Sequence, residues 1–116
     1  MKPEEIDRQI AEKIMGWKLV LPSRQYQGPK HALFEEEWQP STKIAHAMQA
    51  LKMFEKDGWL WTMSNWMVDP NNIVIDGHLF DLWKKEDEKC RRGVGSAESP
   101  EMAMCLAFID AVKDQE

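Results

Sequence analysis

Three short runs of this 116-residue sequence carry residue types suited to holding a phosphorylated molecule. The first is Arg91-Arg92-Gly93-Val94-Gly95-Ser96, which sets two guanidinium groups beside a glycine-permissive turn shortly before a helix start. Such a turn can aim several backbone N–H groups at one anion, and the positive end of a helix dipole favours negative charge. The second is Ser41-Thr42, two hydroxyls at the expected start of another helix. The third is Trp38, a ring just upstream of them, and an aromatic–base stack contributes ~1–3 kcal/mol. Trp38, Ser41, Thr42, Arg91, Arg92, Gly93 and Gly95 thus compose a candidate nucleotide site. In it Arg91 and Arg92 hold phosphate, Ser41 and Thr42 donate to it, and Trp38 stacks the base. No Lys-Ser/Thr follows the glycines at Walker A spacing. A flexible, solvated linker is the alternative reading of the same glycine pair.

Other chemistries find less support. His31, His46 and His78 fall on three different elements, and no Cys or His pair has zinc spacing. Asp76-x-His78 shares one face of a strand, which suits a two-ligand metal site or a hydrogen-bonded surface pair. Ser41, Ser64, Ser96 and Cys105 lie in no nucleophile-elbow signature. Twenty acidic residues make any pair of carboxylates uninformative. The expectation is a binding protein without catalytic residues, metal or cofactor.

Composition bounds the possible partners. Hydrophobic residues make up 43% and charged residues 30%, as in an ordinary folded domain, and the length fits one domain over 1–116. A net charge of −5 argues against a broad, non-specific grip on nucleic acid. No apolar run approaches the ~20 residues that cross a bilayer. Met1-Lys2-Pro3-Glu4-Glu5 lacks the order of a signal peptide, and two cysteines are too few for a disulfide framework, so a reducing cytoplasm is expected. Six Trp among 116 residues serve either a compact core or a stacking pocket.

The elements that must position these groups follow from periodicity. Pro3 opens a helix in which Ile6, Ile10 and Ile14 recur every four residues, and Gly16 closes it. Trp17 to Leu21 reads as a short strand. Residues 22–40 read as a long loop, with Phe34 and Trp38 folding back onto the body. Ser41 or Thr42 caps a second helix whose face carries Ile44, Met48, Leu51 and Phe54, and Asp57-Gly58 ends it. Trp59–Val68 alternates, Asp69-Pro70-Asn71-Asn72 is a strong turn, and Ile73–Trp83 reads as a second strand, together a hairpin. Residues 84–98 read as a polar linker. Ser99-Pro100 opens a last helix with Met102, Cys105, Leu106, Ile109 and Val112 inward. The order α-β-α-β-β-α predicts an α+β fold: three helices packed on a small, mostly antiparallel three-stranded sheet, sandwich-like. The first strand is expected at one edge of that sheet.

Three segments carry a resemblance. Ile10-Ala11-Glu12-Lys13-Ile14-Met15-Gly16-Trp17, Trp38-Gln39-Pro40-Ser41-Thr42-Lys43-Ile44-Ala45-His46-Ala47 and Ser99-Pro100-Glu101-Met102-Ala103-Met104-Cys105-Leu106-Ala107 resemble, in order, the phage α/β/α-sandwich (ABA sandwich) domain of small bacteriophage proteins. The long insert at 22–37 and the basic, glycine-bearing run at 89–96 depart from it. The resemblance implies a phage-encoded accessory protein in the cytoplasm of an infected bacterium. By analogy with small phage proteins that act as sponges, the expected ligand is a cyclic or modified nucleotide signal of host immunity. The rival expectation is a protein-interaction module that inhibits a host protein, anchored by exposed Trp and by the eight Met. A homo-oligomer is compatible with both.

Overall fold

The computed structural model of the protein describes residues 2–20, 24–27, 32–34, 37–68, 71, 74–86 and 89–113, with backbone alone at 32–34, 66–68 and 74–76. His31, Gly28-Pro29, most of the 69–72 turn and the side chains of Phe34, Trp66 and Asp76 lie outside that description.

Helix α1 spans Pro3–Gln9 and runs into a π-helical turn, Ile10–Ile14. Gly16 adopts φ 73° after it, the left-handed conformation that closes a helix. Strand β1 is Lys18–Val20. Strands β2 (Gln25–Gln27) and β3 (Ala32–Phe34) follow, antiparallel in the order β1-β2-β3. The stretch expected as a loop over 22–40 therefore contains two strands, and the first strand joins them rather than the hairpin. Three-residue strands are too short to show alternation, so periodicity gave no sign of them.

Helix α2 spans Ile44–Lys56 and ends in a complete Schellman motif. Gly58, at φ 88°, donates to the Glu55 carbonyl, Trp59 N–H donates to Phe54 O, and the Trp59 and Phe54 rings meet edge-on at 5.3 Å. Its buried face is Ala47, Ala50, Leu51 and Phe54, whereas Ile44 and Met48 are exposed.

Strands β4 (Leu60–Val68) and β5 (Val74–Glu86) pair antiparallel, the expected hairpin, with a bulge between Ser64 and Trp66. The third strand of this sheet is β6, Lys89–Ala97, paired with β5 from Glu86↔Lys89 to His78↔Ala97. The run expected as a linker over 84–98 is thus the end of β5 and all of β6. Helix α3, Pro100–Val112, begins as expected: the Ser99 hydroxyl accepts from Met102 N–H at 3.3 Å, and Pro100 occupies the first turn.

The α+β class and the three helices match expectation, but the layers differ. Helix α3 packs directly on β5 and β6, while α1, the π turn and α2 pack on α3 from behind. Being covered on both sides, α3 buries Ala103, Met104, Cys105, Ala107, Phe108, Ala111 and Val112, far more than one stripe. An aromatic chain ties the layers: Trp61 stacks on Phe80, Phe80 meets Phe108 edge-on, and Phe108 stacks on Phe54. On the opposite face of the sheet Leu60, Thr62, Lys85, Cys90, Arg92, Val94 and Ser96 are exposed.

Candidate functional site

The structure does not bring the seven sequence-predicted residues together. Gly93 and Gly95 are buried in β6, facing α3 rather than an open turn. A Cβ on Gly95 would lie 2.2 Å from the Ala103 carbonyl oxygen, and one on Gly93 2.3 Å from that of Ala107. Ala103, Ala107 and Ala111 recur every four residues along the facing side of α3, so helix backbone and strand backbone meet with almost no side chain between them. The glycines therefore set helix–sheet packing, and their N–H groups form no anion cradle.

Arg91 and Arg92, as neighbours on a strand, point to opposite faces. Arg92 makes a two-pronged pair with Asp81, Nε to Oδ1 at 3.0 Å and Nη2 to Oδ2 at 2.7 Å. Arg91 lies on the helix side, its guanidinium 5.2 Å from the centre of the Trp59 ring and 3.3 Å from Glu86 Oε1. Glu86 also holds Lys84 at 3.4 Å, Lys84 holds Asp57 Oδ2 at 3.2 Å, and Trp59 Nε1 donates to that same oxygen at 3.3 Å. The hydrogen bond from Lys84, with that from Trp59, keeps the Asp57 carboxyl below its usual range. The bond to Asp57 raises Lys84 in turn.

Trp38, Ser41 and Thr42 sit at the other end of α2. Trp38 is 1% exposed, stacked on His46 at 5.3 Å and edge-on to Trp17 at 4.7 Å, so no face of its ring is open to a base. Ser41 is 2% exposed, and its backbone N–H donates to Asp7 Oδ1 at 2.8 Å, tying α1 to the start of α2. Burial raises the Asp7 carboxyl despite that bond, and burial also lowers His46, whose Nδ1 accepts from Gln39 N–H at 3.0 Å. Trp38 Nε1 is sealed without a hydrogen-bond partner among the described residues, and the sealed Ser41 hydroxyl has the Asp7 carboxyl as its polar neighbour. Thr42 Oγ1 turns back to Gln39 O at 3.4 Å, and the helix cap falls on Lys43, with no side-chain bond. From His46 to Asp57 the axis of α2 runs roughly 16 Å, which separates this cluster from the arginines.

The concavity that the fold does offer lies beside the arginines. A cleft of about 520 Å³ opens where β5 turns into β6, lined by Gly58, Leu60, Trp83, Lys84, Lys85, Lys89 and Cys90. The register explains part of the gathering. Leu60 pairs with Trp83 and Lys85 with Cys90, so these four share the sheet face away from α3, while Lys84 and Lys89, in phase with Arg91 on the helix side, line the same cleft from the other face. Lys84 is engaged with Asp57 and Glu86, whereas Lys85 and Lys89 make no ion pair among the described residues. One apolar ring and two uncommitted ammonium groups thus border one open cavity. The sequence signal was the period-2 pattern carried past Trp83 into Lys85, which reading 84–98 as a linker cut off.

The family model of the phage ABA sandwich domain matches residues 8–109. The chain belongs to this phage domain family. The match begins in the last two residues of α1 and takes in the π turn, both sheets, α2 and most of α3, so the cleft lies within the family domain. No curated protein and no solved structure matches the chain. No helix among the described residues is long and apolar enough to cross a membrane.

Proposed function

We propose that this ABA sandwich domain is a non-enzymatic phage accessory protein. It acts in the infected host's cytoplasm by binding and sequestering a small phosphorylated ligand of nucleotide type. The site is the cleft at the β5–β6 turn, not the Arg91/Ser41 constellation expected from sequence. The supporting observation is the meeting of the half-buried Trp83 with Lys85 and Lys89 around one cavity. A ring of this size offers a base an apolar platform, and two ammonium groups at the rim suit a phosphate. Ions with internal partners would have to break those bonds first, which is why Arg92 and Lys84 contribute less than the two free lysines.

Calorimetry against a panel of linear and cyclic nucleotides tests this reading. Tight binding to at least one, ligand recovered unaltered, and loss of binding in the Lys85→Ala/Lys89→Ala double variant are the expected results. Consumption of the ligand would overturn the non-enzymatic part, and full binding by the double variant would overturn the site.

A second reading rests on a different surface. Ile44 and Met48 are exposed one turn apart on α2, an apolar pair suited to anchoring a host protein. It is favoured if no nucleotide binds and a host protein co-purifies with the parent chain but not with Ile44→Glu.

A further inference from the structure

The two outer edges of the β4-β5-β6 sheet are built differently. At the β6 edge Val94 N–H donates to Asp110 Oδ2 at 3.0 Å, α3 lies against Gly93 and Gly95, and Lys89, Arg91 and Arg92 charge the first half of the strand. Those features are how proteins protect an edge from further pairing. The β4 edge has none of them. Its nine residues, Leu-Trp-Thr-Met-Ser-Asn-Trp-Met-Val, include no charge and no proline, and β5 is its single strand partner among the described residues. Among the described residues, three of the seven large hydrophobic residues found exposed fall within four positions of it: Leu60 at 61%, Trp61 at 37% and Met63 at 36%.

We propose that β4 joins two copies of this chain edge to edge, continuing both sheets as one. The occupant follows from the residue pattern. In an antiparallel pair about a two-fold axis the central residue faces its own copy and its neighbours lie close to theirs, so a charge at or near the centre would be brought against its like. Strands β5 and β6 each carry several charges, and β4 carries none. The bulge after Ser64 ends the regular part of β4 and places its centre at Thr62. Pairing centred there sets Thr62 against Thr62, Trp61 against Met63 in both directions, and Leu60 against Ser64. Threonine pairs and sulfur–ring contacts are both favourable across strands. The exposed Trp61 and Met63 lie on the α3 side of the sheet, beyond the part that α3 covers, and each would gain the other as a neighbour.

Sedimentation velocity on the full chain tests the proposal. The parent protein should run at twice its 13.6 kDa mass at micromolar concentration. Thr62→Lys, which sets two ammonium groups face to face, should weaken association about a hundredfold. Should that variant fail to fold, Thr62→Cys in a Cys90→Ser background decides: it should form an intermolecular disulfide on mild oxidation, while Val94→Cys on the β6 strand should not. A parent chain that sediments as a monomer overturns the proposal. So does a dimer untouched at Thr62 that forms no Thr62→Cys crosslink, or a monomer whose β4 captures a strand of a different protein.

Discussion

Replacing Gly95 by alanine separates the two roles open to the β6 glycines. The added Cβ would stand 2.2 Å from Ala103 O, 2.4 Å from Ala107 N and 2.9 Å from Leu106 Cβ, where ordinary contact begins at 3.4 Å. The shortfall at the carbonyl is about 1.2 Å, and two of the three obstacles are backbone atoms that no rotamer change can move. Relief requires α3 to lift from the sheet, yet α1 and α2 pack on its other side. Overpacking of this kind costs about 1–3 kcal/mol, offset slightly because alanine suits a strand better than glycine. At this chain length that is a fall in melting temperature of roughly 5–15 °C, measured by circular dichroism. Ligand binding by the still-folded fraction should persist. A Gly95→Ala protein that melts with its parent, or one that keeps its stability and loses binding, would refute the packing role and revive the phosphate-loop reading.

Three further outcomes follow from ionisable groups at different depths in the fold. Burial holds the folded Asp7 carboxyl above its ordinary pKa of 3.8, so the stability tied to its neutral form is present below that value and lost as pH rises through the raised pKa. Asp7→Asn, which retains an oxygen for the Ser41 N–H, should therefore gain stability against urea at pH 7 relative to its gain at pH 3. His46 is shifted the other way, below 6.5, so its contribution is present above pH 6.5 and lost as pH falls through the lowered pKa. His46→Asn should flatten that acid limb of a stability–pH curve. Burial pushes the Cys105 thiol far up, whereas Cys90 is exposed. A thiol reagent at pH 8 should count one reactive group in the native chain and two after denaturation.

Much of the fold was legible because its signals are local. Pro3, Gly16, Gly58 and Ser99-Pro100 mark helix ends through backbone conformations that need nothing from the rest of the chain. The alternation of Trp59–Val68 and the turn residues from Asp69-Pro70 onward mark the hairpin in the same way. Strand β6 escaped because its inward residues are Gly93, Gly95 and Ala97, which carry no hydrophobic alternation. They make sense only against Ala103, Ala107 and Ala111 of a helix that has yet to pack. The candidate site was lost for the same reason. Arg91 and Arg92 looked available as a sequence pair, but Glu86 and Asp81 reach them only after β5 and β6 align. Trp38 looked available as a loop residue, but Trp17 and His46 enclose it.

The most direct measurement is mass spectrometry of small molecules released by heating the purified protein after exposure to infected-cell lysate. It is run in parallel on the parent chain and on Lys85→Ala/Lys89→Ala. A phosphorylated, ring-bearing compound released by the parent and missing from the double variant is the expected result. Equal release from both, or no phosphorylated compound from the parent, would contradict a phosphate site at the β5–β6 cleft.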